Sequence, residues 1–138
     1  MKLFTAARLI LISALLAVSS AASATEETDL EKCYKKATTE ASIQECLRME
    51  LKNVRSEYRA VLEQVQSDVS GIDRVRGSES SANAFKKANV AFDRYVSEQC
   101  EFEEALHGEG SGAEASNLSC QINLLNWRMG LLESVMPR

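Results

Sequence analysis

The sequence predicts an all-α fold, an elongated helical hairpin or a small three-helix bundle cross-linked by disulfides, and three observations lead there. Apolar residues recur in steps of three and four through most of the chain beyond residue 39, the period of an amphipathic helix. Four cysteines follow an amino-terminal segment that reads as a secretion signal. No stretch shows the strict alternation of a half-buried strand.

The chain begins MKLFTAARLILISALLAVSSAASATEETD. Lys2 and Arg8 give a positive start, Leu9 to Val18 are almost wholly apolar, and Ala22-Ser23-Ala24 puts small residues where a signal peptidase cuts. The expectation is a signal peptide over 1–24 and a single domain over 25–138, periplasmic or secreted. No second apolar run approaches the roughly 20 residues that span a bilayer, so no integral membrane span is expected. The leader has no cysteine at its end to carry a lipid. It also contains two of the 16 Lys and Arg and none of the 20 Asp and Glu, so its loss takes the net charge from −4 to about −6. An acidic surface repels phosphate backbones and favours basic partners, which argues against nucleic acid.

Cys33, Cys46, Cys100 and Cys120 are an even number in a chain read as exported, the pattern of two disulfides. Their spacing lacks the close CxxC pairs of zinc or thiol-exchange sites, and neither a metal nor a cofactor is expected. Three pairings are possible. Closure of short local loops favours Cys33 with Cys46 and Cys100 with Cys120, while helices packed side by side equally allow a crossed pattern.

The longest helix is expected from Thr39, or Thr38, as cap to Val69, with Ile43, Leu47, Leu51, Val54, Tyr58, Val61, Val65 and Val69 on its apolar face. Glu45, Arg48, Lys52, Arg55, Arg59 and Glu63 make the wet face. Gly71 and Gly77, mixed with Ser70, Ser78, Ser80 and Ser81, then predict a loop to about residue 81, with one short turn near Ile72 to Val75. A second helix follows, its stripe read as Phe85, Ala88, Phe92, Tyr95, Gln99, Phe102 and Leu106, until HGEGSG stops it. Leu118, Ile122, Leu125, Met129, Leu132 and Met136 mark a third, and Pro137 ends it. CYKKATTE adds a small helix or turn that Cys33 fastens to the first rod.

Catalytic constellations are missing. His107 is the sole histidine, Ser111 has no evident base, and no HExxH, GxSxG or GxxxxGK[ST] pattern occurs. Glu103 and Glu104 are adjacent helix positions pointing about 100° apart and do not converge on one bond. The chain therefore reads as a non-enzyme. Its most informative surface is Glu98, Glu101 and Glu104, which approach a helix carboxyl end where negative charge is disfavoured. Beyond them His107, Glu109, Gly110 and Ser111 lie in a narrow turn between Cys100 and Cys120. Acidic residues beside a braced protruding turn suit a basic protein partner.

Cys33, Ala37, Thr39, Glu40 and Cys46 resemble the pattern C-x3-A-x-T-x(0,2)-E…C of a known family. Phe85, Ala88-Asn89, Phe92, Tyr95 and Cys100 resemble its second helix, and Gly110-Ser111, Cys120, Leu124, Arg128 and Leu132 continue the likeness. Together these residues are similar to the LprI-like lysozyme-inhibitor family. The chain departs from that pattern at Phe92, where tryptophan is usual, at Val96-Ser97, where an arginine-aspartate pair is common, and at Leu125, where threonine is common. The resemblance implies an exported, disulfide-containing helical domain of a family in which some members bind lysozyme and block peptidoglycan hydrolysis. The function expected here is an exported inhibitor that binds a basic lysozyme and occludes its peptidoglycan-binding cleft. In that reading Glu98, Glu101 and Glu104 steer the enzyme, and the turn from His107 to Ser111 lies across the cleft. The alternative is a non-catalytic structural or interaction module of the cell envelope, with another envelope protein as its partner.

Overall fold

The computed structural model describes residues 27–110 and 112–136; the expected leader, Ser111 and Pro137 lie outside the described residues. Four helices follow in order: α1 (Asp29–Lys36), α2 (Glu40–Arg76), α3 (Ser80–Leu106) and α4 (Gly112–Val135). The all-α class with disulfides holds. The hairpin or three-helix bundle is corrected to four packed helices, because the segment around Cys33 forms a true helix that packs on both α2 and α4.

Local chemistry explains the boundaries. Thr28 and Glu31 form a reciprocal capping box at the start of α1, each side chain serving a backbone N–H of the other. Thr39 caps α2 in the same way with Ser42. The expected end of this helix at Val69 is wrong: α2 runs on through Gly71 to Arg76, and Gly77 ends it with a left-handed φ of 64°. Gly71 alone does not stop it, since one helical glycine costs only about 1 kcal/mol and the packing of Val65 and Val69 carries the rod past it.

Asp73 supplies what the sequence reading missed at this corner. Only 3 % exposed, its carboxylate accepts from the N–H groups of Ser81 (3.1 Å) and Ala82 (2.8 Å), the unpaired donors of the first turn of α3. These bonds, the Ala82 N–H first, hold the carboxyl below its ordinary range. Glu79, at the formal cap position, makes no capping bond of its own. The α2–α3 corner is thus closed by a carboxylate reaching forward from the end of α2.

α4 packs between its two long neighbours, and α2 and α3 touch each other less. α2 and α4 run parallel, as bonds from Arg48 to Glu114 and from Arg55 to Gln121 show at one constant offset. α3 runs antiparallel to α4, with Cys100 joined to Cys120 and Arg128 bonded to Asn89 further along. Leu47 of α2 and Ile122 of α4 are wholly enclosed in the shared core. Phe92 sits between Tyr58 (centroids 6.1 Å apart) and Trp127 (6.4 Å), with the Arg128 guanidinium 5.3 Å above its ring. Burial pushes the Tyr58 hydroxyl up in pKa at this junction.

Both disulfides are local. Cys33–Cys46 ties α1 to the first turns of α2, and Cys100–Cys120 ties the end of α3 to α4. Short-loop closure therefore gives the observed pairing over the crossed one.

Candidate partner-binding site

The last three turns of α3 carry most of the residues singled out in the sequence, and burial sorts them differently from the expected stripe. Phe85, Phe92 and Cys100 are buried, and Val96 packs on the same core. Tyr95, Phe102 and Leu106, expected to face inward, are 49 %, 56 % and 68 % exposed. The correction has a simple cause. Cys100 must face α4 to reach Cys120, and that rotation brings Val96 under cover and turns residues 95, 102 and 106 out. At 100° per residue these three positions share an arc of about 40°, so they form one apolar strip on the outer flank of α3.

The glutamates do not form a single face. Glu98 is exposed and accepts from the Arg94 Nε one turn back at 2.8 Å. Glu101 is exposed on the flank towards α2 and accepts from the Ser97 hydroxyl. Glu104, expected on the solvent side, is half-buried and accepts from Asn117 of α4 at 2.7 Å. It is a brace between α3 and α4 as much as a surface charge.

Beyond Leu106, His107 closes the helix and Gly108 adopts a φ of 65°, which reverses the chain at little steric cost. Glu109 and Gly110 are exposed, and the Gly110 carbonyl accepts from the Ala113 N–H at the start of α4. Ser111 lies outside the described residues. His107 also lines a shallow recess of about 280 Å³ with Glu103, Tyr34 and Leu30, which joins the turn to α1. Cys100–Cys120 lies directly behind this surface, so the turn stands on a cross-linked base.

A second concavity was not singled out in the sequence. Between α2 and α3, floored by α4, runs a groove of about 960 Å³ that includes Lys52, Arg55 and Arg59 on one wall and Asp93 and Glu101 on the other. The signal was present as cations at helical spacing on α2, which read as a merely solvated face.

Among the described residues no three His, Cys, Asp or Glu side chains gather in a way that could hold a metal ion, and no helix is long and apolar enough to cross a membrane. The candidate site is thus an outward apolar strip with carboxylates beside it and a braced turn, on a small disulfide-linked helical protein. The chain belongs to the family described as Lysozyme inhibitor LprI, whose family model matches residues 17–132. Members of this family are inhibitors and not catalysts, so the chain is not an enzyme. No curated protein and no solved structure matches it.

Proposed function

We propose that the chain is exported, loses residues 1–24, and inhibits a basic lysozyme in the periplasm or outside the cell by docking the end of α3 and its turn over the enzyme's sugar-binding cleft. The observation that carries this reading is the exposure of Phe102 and Leu106, one helical turn apart, beside the disulfide-held reversal. Large apolar side chains in the open, next to charge, have the composition of a protein-binding hot spot. Glu98, Glu101 and Glu109 are exposed around them and give the negative potential that draws in a basic enzyme. Glu104, fixed to Asn117, contributes by holding α3 against α4.

Contact and steering separate experimentally. Phe102→Ser with Leu106→Ser removes the anchors from exposed positions, so stability should change by less than about 1 kcal/mol while affinity for lysozyme falls at least thirtyfold, the effect of a hot spot worth about 2 kcal/mol. Glu98→Lys with Glu101→Lys should instead slow association, most at low salt. Retention of full inhibition by the Phe102/Leu106 variant would place the docking surface elsewhere on the molecule.

A further inference from the structure

Along α2, Arg48, Lys52, Arg55 and Arg59 follow one another by four, three and four residues, which confines them to an arc of about 60°. They form one wall of the groove of about 960 Å³; Asp93 and Glu101, eight residues apart on one side of α3, stand on the other. Leu118 and Leu125 of α4 lie along the floor. On this acidic chain, cations and carboxylates are segregated onto facing walls, and among the described residues no ion pair crosses between them.

The charges also differ in how far they are already satisfied. Arg48 is paired with Glu114 and Glu45 and belongs to the α2–α4 contact. Among the described residues Arg55 meets only the neutral amide oxygen of Gln121, at 2.6 Å. Lys52, Arg59 and Asp93 make no ion pair or side-chain hydrogen bond among the described residues. Lys52, Arg59 and Asp93 thus line a concave surface without an ion pair among the described residues.

We propose that this groove binds a short extended peptide carrying both carboxylate and ammonium groups. Its carboxylates lie against Lys52, Arg55 and Arg59, its ammonium groups against Asp93 and Glu101, and its aliphatic parts over Leu118 and Leu125. From Lys52 to Arg59 the cationic wall spans about 10 Å at 1.5 Å per residue, the length of roughly three residues of extended chain. A pure polyanion would meet repulsion from Asp93 and Glu101, and a pure polycation from the α2 wall, so opposite charges on one ligand are what the two walls select. Tyr95, Phe102 and Leu106 do not line the groove, which shares Glu101 with the surface proposed for lysozyme, and the inference does not depend on that reading.

The test uses the oxidised exported protein, without lysozyme, titrated at low salt with a hexapeptide of alternating glutamate and lysine and followed by calorimetry and backbone-amide NMR. Saturable binding is expected at one site, with shifts clustered at Lys52 to Arg59, Asp93 to Glu101 and Gln121. Lys52→Glu with Arg59→Glu should weaken it at least tenfold, Asp93→Lys similarly, and Glu98→Lys by less than twofold. Lys52→Gln with Arg59→Gln repeats the test with a milder change if the reversed charges disturb the fold. Hexaglutamate or hexalysine binding as tightly as the alternating peptide, shifts clustered elsewhere, or no saturation at millimolar peptide would each overturn the proposal.

Discussion

Replacing Cys100 and Cys120 together by alanine tests how the turn-bearing end is held. The bridge closes a loop of sequence separation 20, and the chain-entropy relation assigns such a cross-link about 3.3 kcal/mol through restriction of the unfolded chain. The Cys33–Cys46 bridge, at separation 13, is assigned about 2.9 kcal/mol by the same relation. Both sulfurs of the larger loop belong to buried residues, so their removal also costs packing, with the same sign. For a domain of roughly 110 residues, 1 kcal/mol corresponds to about 4 °C, and the Cys100/Cys120 variant should melt about 14 °C or more below the parent. Urea unfolding followed by far-ultraviolet circular dichroism gives the free energy directly, and the slope reports on the unfolded ensemble, which the bridge should make more compact. A loss below about 1 kcal/mol would refute the reasoning, because it would mean that α3 and α4 stay associated in the unfolded chain without the cross-link.

Two further expectations concern stability. Leu47→Ala and Ile122→Ala remove side chains that are wholly enclosed in the core, and each should cost about 3–4 kcal/mol in the same urea assay. Asp73 has its folded pKa depressed by the Ala82 and Ser81 amides, so its contribution is present above the unfolded value and is lost as pH falls through the folded one. Urea midpoints taken from about pH 6 down to about pH 2 should therefore fall more steeply for the parent than for Asp73→Asn, and parallel curves would remove Asp73 from the acid response.

Helical period alone carried much of the fold. The steps from Ile43 to Val65 and from Leu118 to Leu132 correctly mark faces that pack together, and the local cysteine spacing agrees with the observed pairing. α3 was harder because its apolar residues fit two adjacent seams that share Phe85 and Phe92. One runs through Tyr95, Phe102 and Leu106, the other through Asn89, Val96 and Cys100, and both have helical period. The choice is made by a tertiary constraint, the covalent link from Cys100 to α4, together with the Asn89–Arg128 contact. Asp73 was hidden for a related reason: a polar residue in a glycine- and serine-containing stretch looks like loop, and only its reach across the corner to α3 gives it a role. The exposure of Glu98 and Glu101 was legible by position, but Glu104's bond to Asn117 depends on the rotation of α4, which no local pattern contains.

Inhibition itself is tested most directly by titrating a basic lysozyme with the oxidised protein and measuring binding and peptidoglycan hydrolysis in the same buffer, first at low salt and then at about 0.3 M, where the screening length is well below the roughly 10 Å of 0.1 M. The account predicts inhibition that saturates at a defined stoichiometry and weakens, without vanishing, at the higher salt, because Glu98, Glu101 and Glu109 are screened while contacts made by Phe102 and Leu106 are not. Absence of binding and of inhibition across lysozymes of animal and bacterial origin would contradict it.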